Sequence, residues 1–98
     1  MSFSIHIDRP LTPLFEELPL PIRASLQEHL ERIAEIAEYL PPQDPRWSLM
    51  AQPDGDGLRT YVAGCCVRLH VLPGSRKVVV EQIGRVRVSF AGASLHLE

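Results

Sequence analysis

Several features that would narrow the function of a small protein are missing from this sequence. It has two cysteines, adjacent at Cys65-Cys66, and no Cys-x-x-Cys spacing, which excludes the usual thiolate sites for structural zinc. On a strand, neighbouring side chains point to opposite faces, and a bridge between them would strain the backbone. Both are therefore expected as reduced thiols packed like small apolar groups. Whichever one shares a face with Arg68 is a candidate reactive thiol, because a nearby cation lowers a thiol pKa. No apolar run approaches the roughly 18 residues that a membrane-spanning helix needs. Met1–Asp8 has no basic patch followed by an apolar stretch, so no signal peptide is expected and a cytoplasmic location is. Gly-x-Ser-x-Gly, His-Glu-x-x-His and a phosphate-binding glycine loop are all absent, which leaves an independent hydrolase without support. No metal and no cofactor is expected.

What is present reads as one ordinary globular unit. The chain has 98 residues, 45% hydrophobic and 22% charged, enough for one domain with a modest core and too apolar for a disordered segment. Residues 1–96 are read as that domain and Leu97-Glu98 as a cloning remnant. The net charge of −2 hides a split. Residues 1–56 hold ten acids and four bases, and residues 57–98 hold two acids and six bases, so the halves carry −6 and +4. Such asymmetry points to an acidic partner for the second half. The pI of about 6.1 is well below the value above about 9 typical of nucleic-acid-binding domains.

Phe3, Ile5 and Ile7 alternate with Ser4, His6 and Asp8, a half-buried strand with His6 on its solvent side. Thr12 and Pro13 predict the cap and first position of a short helix over Leu14–Leu18, stopped by Pro19. Pro21 suits the first turn of a longer helix. Its apolar residues Ile22, Leu26, Leu30, Ile33, Ala37 and Leu40 form one stripe, and Glu28, Glu31, Arg32, Glu35 and Glu38 lie off it as a solvated face. Pro41-Pro42 ends this helix. Residues 41–57 read as a loop, either throughout or around one short strand at Trp47–Ala51, with Trp47 packed over a core edge. Asp54-Gly55-Asp56-Gly57 is a turn; it lacks the alternating oxygen ligands and distal glutamate of a calcium loop.

Three strands follow, at residues 58–63, 65–72 and 77–83, with a tight turn around Gly64 and another at Pro73–Arg76. In the second, Val67, Leu69 and Val71 share one face, expected to meet the helix, and Cys66, Arg68 and His70 share the other. Val78-Val79-Val80 fits a central strand apolar on both sides, and its pattern leaves open which face is wet. Arg85 and Arg87 share parity, hence a face, if that strand runs past Gly84. The expected fold is α+β, in β-α-α-β-β-β order, with two N-terminal helices packed on one face of a small, mainly antiparallel sheet.

This order resembles the RelE/ParE-type toxin superfamily of bacterial toxin–antitoxin systems. The resemblance covers roughly residues 3–88. It rests on a first strand leading to a short helix with Leu14 and Leu18, on Leu20-Pro21-Ile22-Arg23 at the start of the long helix, on a glycine-led strand at Gly64–Val71, and on a valine strand running into Ile83-Gly84-Arg85. In that family the central strand commonly reads Gly-Tyr-Arg-aliphatic-aliphatic-Tyr. Here the arginine position is Cys66 and the tyrosine position is Leu69. After the last strand the ribonuclease members carry a further basic residue and a tyrosine or histidine; this chain has Arg85, Val86, Arg87 and then Ser89-Phe90-Ala91-Gly92. The family's catalytic lysines and tyrosine thus have no residue-by-residue counterpart, and only Arg85, with Arg87 beside it, falls near a family site.

The resemblance implies a toxin-like protein that inhibits growth through an RNA–ribosome or topoisomerase target, with a cognate antitoxin peptide as partner. Ribosome-dependent mRNA cleavage would be its enzymatic form. Arg59, Arg68, Arg85 and Arg87 are the candidate contacts to phosphate or an acidic partner. His70, with Arg85, is the candidate for catalysis, since only His70 among them moves a proton near neutral pH. The competing reading is a non-catalytic interaction module that retains this fold and has lost the chemistry, consistent with the absent residues, the low pI and the acidic helix.

Overall fold

The computed structural model describes the backbone of residues 3–89 and 94–97 and the side chains of residues 3–85. Strand β1 (Ser4–Ile7) leads through a 3-10 turn (Arg9–Leu11) into helix α1 (Thr12–Glu17) and then helix α2 (Leu20–Ala37). A second 3-10 turn (Pro45–Leu49) precedes β2 (Gln52–Asp54), β3 (Gly57–Val62), β4 (Cys65–Leu72), β5 (Lys77–Ser89) and β6 (Ser94–Leu97). The sheet runs β1-β5-β4-β3-β2, with β6 on the last four residues of β5. β1 is parallel to β5 and the other pairings are antiparallel. The expected α+β architecture, with the helices against one side of a mixed sheet, is what the chain adopts. Among the described residues no helix is long and apolar enough to cross a membrane.

The stripe on α2 is its buried side: Leu26, Leu30 and Ile33 are fully inaccessible, and Ala34 and Ala37 nearly so. They meet Cys65, Val67 and Leu69 of β4 and Val78 and Val80 of β5 in a single core. Each such aliphatic side chain contributes about 1.5–3 kcal/mol over the exposed state. The acids lie outside, and Glu28 meets Arg32 at 3.4 Å on an exposed surface, where such pairs add little. Thr12 is the first helical residue of α1 and not its cap; the capping position is Leu11, with no side-chain cap. Leu18 is extended because Pro19 follows it.

Of the two readings of residues 41–57, the strand at Trp47–Ala51 does not form: the 3-10 turn Pro45–Leu49 occupies most of it, capped by the Asp44 carboxylate accepting from Arg46 N–H at 2.9 Å, and a strand begins only at Gln52. Pro45 and the local Asp44 acceptor favour a turn there over an extended chain. Trp47 is buried, its indole N–H donating to the Pro41 carbonyl at 2.7 Å.

The two short hairpins carry different turns. Gly55 alone has positive φ in the β2–β3 loop, the type II′ pattern, whereas both Ala63 (φ 52) and Gly64 (φ 76) do in the β3–β4 loop, the type I′ pattern. An alanine at the first position of a type I′ turn is strained.

The ladder between β4 and β5 contains a bulge. Arg68 pairs with Gln82 and Leu69 with Val80, so Glu81 is an extra residue. It settles which face of β5 is wet. Val78 and Val80 point to the helices, and three residues later Ile83 does too; strict alternation would have sent Ile83 to the opposite side.

α2 is also tied to β3 by a polar contact. The buried Thr60 hydroxyl donates to the Met50 carbonyl at 3.0 Å. Its oxygen therefore accepts from His29 Nε2–H at 2.8 Å, which fixes the protonated nitrogen. Burial first, and Arg32 second, push the His29 pKa below its ordinary value of 6.5.

Two outcomes follow for stability. Ala63→Asn should raise the unfolding free energy by about 0.5–1 kcal/mol in urea denaturation, because asparagine tolerates the left-handed backbone. The folded chain binds a proton at His29 less readily than the unfolded chain. That contribution is full above pH 6.5 and declines as the pH falls below it. His29→Gln keeps a donor for Thr60 and does not titrate, so stability should fall less steeply in the variant than in the wild type between about pH 7 and pH 5.

Candidate functional site

The helices cover one side of the sheet. On the other side lie Arg59 and Tyr61 of β3, Cys66, Arg68 and His70 of β4, and Val79, Gln82 and Gly84 of β5, following directly from the paired registers. Arg59 and Arg68 are directly opposed across β3 and β4. Two guanidiniums so placed repel, and the structure resolves this with carboxylates. One oxygen of Asp54, on β2, takes Arg59 Nη2 at 2.9 Å and Arg68 Nε at 3.1 Å. Arg68 also donates to the Asp54 carbonyl at 3.2 Å, to Asp56 at 3.3 Å and to Glu81 at 2.5 Å. These four hydrogen bonds use most of the five donors of a guanidinium. The Arg68 side chain keeps 25% of its exposure, so the pairs sit in a medium that screens less than bulk water.

His70 completes the cluster. Its Nε2 lies 2.8 Å from Glu81 Oε1 and 3.7 Å from Asp56 Oδ1, with the ring 16% exposed. It is held, not loose on the surface. The bulge makes this possible: as the extra residue, Glu81 projects to the same open face as Gln82, where Arg68 and His70 converge on it. Gly57 is required beside them, because a Cβ there would stand 2.7 Å from the Leu69 carbonyl and 3.2 Å from the His70 ring. Arg59 is held above its ordinary pKa by its hydrogen bond to Tyr61 first and by Asp54 second.

Beside the two arginines is a groove of about 320 Å³ lined by Leu11, Cys66, Gln82 and Gly84. Gly84 stands opposite Cys66 and leaves part of its floor without a side chain. Both cysteines are free. Cys66 is the one that shares a face with Arg68. Cys65 is buried in the core, and burial pushes its thiol up, only partly offset by Arg85. Among the described residues no three His, Cys, Asp or Glu side chains are arranged so that they could hold a metal ion.

Of the four arginines singled out from the sequence, the structure brings together Arg59 and Arg68. Arg85 pairs with Cys65, whose side chain points into the helix-covered core, so Arg85 lies on the other side. The bulge is the reason: one inserted residue moves everything after Glu81 to the opposite parity. Arg87 lies in β5, and its side chain is outside the described residues. The basic face expected from the sequence is thus not a set of bare cations. Among Arg59, Arg68, Asp54, Asp56 and Glu81 the carboxylates outnumber the guanidiniums by one. Sequence reasoning treated Asp54 and Asp56 as turn residues and passed over Glu81. The available signal was the spacing of Val78, Val80 and Ile83, which breaks period two at Glu81.

No family model matches this chain, and no curated protein does. Among solved structures it is similar to the isolated E. coli RelE toxin, with a TM-score of 0.64 over 92% of this chain and 90% of that one, at 16% sequence identity. The fold is RelE-like.

The network makes Arg68 a structural keystone. Arg68→Met takes the shared guanidinium from half-buried Asp54 and Glu81, leaving them only Arg59 and His70, and should lower the unfolding free energy by about 1.5–3 kcal/mol. Urea denaturation measures this; a loss below about 0.5 kcal/mol, the size of a surface pair, would show the network to be solvated.

Proposed function

We propose that this protein is the toxin-like component of a bacterial toxin–antitoxin system, cytoplasmic, held in check by a cognate antitoxin peptide and inhibiting growth through an RNA–ribosome or topoisomerase target. The observation that carries this reading is the match of nearly the whole chain to the RelE toxin fold. It is supported by an open sheet face with two arginines and a histidine beside a groove. Arginine forks suit phosphate and carboxylate alike, so the same face fits a nucleic-acid backbone or an acidic segment of a protein.

One observation favours a second reading. Arg59 and Arg68 are already ion-paired within the chain, as expected of a non-catalytic interaction module that has this fold without ribonuclease chemistry. The two readings differ in growth. Induction in a bacterial host without the antitoxin should arrest growth under the first, and an Arg59→Ala, Arg68→Ala double variant that circular dichroism shows to be folded should not. Unimpaired growth with the wild-type protein would leave the interaction module as the reading. Where arrest occurs, mapping of mRNA 5′ ends against a DNA supercoiling assay separates the two targets.

A further inference from the structure

The β2–β3 turn places two carboxylates against the guanidinium that borders the open groove. The contacts are unequal. Asp54 is 29% exposed and bridges Arg59 and Arg68 through one oxygen, the arrangement a single oxygen of a tetrahedral oxyanion would make between two guanidiniums. Asp56 is 85% exposed and reaches Arg68 only at 3.3 Å, so little holds it there. The turn approaches this closely because Gly57 has no side chain: a Cβ there would stand 2.7 Å from the Leu69 carbonyl of β4, whereas one at Gly55 would make only ordinary contact with Arg68 Nη2 at 3.4 Å. From the other side Glu81 holds both Arg68 and His70.

We propose that the Asp54–Gly57 turn is a built-in counter-ion: its carboxylates occupy Arg68 and Arg59 as an internal oxyanion and exclude an external phosphate-type oxyanion from the adjoining groove. The device is autoinhibitory. With the turn in place and His70 neutral, the two arginines and three carboxylates carry one more negative charge than positive and repel an anion. With Asp56 neutralised the charges balance, and with Asp54 neutralised as well the arginines are in excess. This holds whether or not the chain arrests growth, since it concerns only which anion the two arginines hold.

The test uses inorganic phosphate as the probe, at constant ionic strength, with the side-chain Nε–H signal of Arg68 and the Gly84 amide followed by NMR. Asp56→Asn should bind phosphate on the order of fivefold more tightly than the wild type, and Asp54→Asn with Asp56→Asn more tightly still. Asp44→Asn is the control. It makes the same change in net charge, at a carboxylate paired with Arg46, and should behave as the wild type. If Asp56→Asn gains no more than Asp44→Asn, or its shifts do not centre on Arg68 and Gly84, the proposal is overturned. Should the double variant fail to fold, the exposed Asp56 still decides the matter alone.

Discussion

Glu81 is one residue more than the ladder between β4 and β5 has room for, and the arrangement of both sheet faces depends on that excess. Without it, the side chain after Val80 to reach the core would be Gln82, an amide needing partners that the aliphatic surface of α2 does not offer. With it, Ile83 fills the core and a carboxylate is delivered to the open face beside Arg68 and His70. The same shift takes Arg85 away from that face. Core packing and the placement of Glu81 and Arg85 are therefore two results of one register change.

The open face is stable because its arginines are paired locally with carboxylates. Opposed arginines on neighbouring strands are unfavourable by themselves, and Asp54 is placed to bridge them by β2, an edge strand of three residues. That strand contains Pro53, which removes a backbone donor and makes the edge a poor template for further pairing. Its pairing with β3 and the grip of Arg68 on Asp54 reinforce each other: the ladder holds the carboxylate in position, and the guanidinium holds the hairpin to β4 and β5. No buried side-chain polar atom among the described residues lacks a hydrogen-bond partner, as this degree of cross-bracing requires.

Much of this fold was legible from local pattern. The α2 stripe, the β1 alternation, the turn at Gly64 and the parity of Cys66, Arg68 and His70 all emerge where periodicity predicts them. What was not legible depends on pairing between distant segments. Three valines in succession fit either face of a strand, and only the opposition of Leu69 to Val80 decides between them. A turn rich in aspartate and glycine reads as a turn, which it is; its carboxylates acquire a role only when the hairpin folds onto Arg68, 14 residues from Asp54. The short helix starts one residue before the expected Pro13, at Thr12, whose side chain makes no capping hydrogen bond that would hold it outside the helix.

The charge asymmetry of the sequence shows how composition can mislead about a surface. Residues 57–98 have an excess of bases, which suggests a cationic sheet. The sheet face, however, is assembled from both halves of the chain: Asp54 and Asp56 come from the acidic half and meet Arg59 and Arg68 of the basic one. Net charge along a sequence predicts the field of a surface only when no carboxylate crosses over, and here two cross and join Glu81 of the basic half at the same two guanidiniums. A RelE-like fold with free arginines on this face would attract phosphate at long range. This face presents paired ones, so an anion binding there, as proposed, would have to exchange with an internal carboxylate for the arginines. The affinity of such a face is a difference between two similar ion pairs, and the more exposed carboxylate, Asp56, is the one whose release costs least.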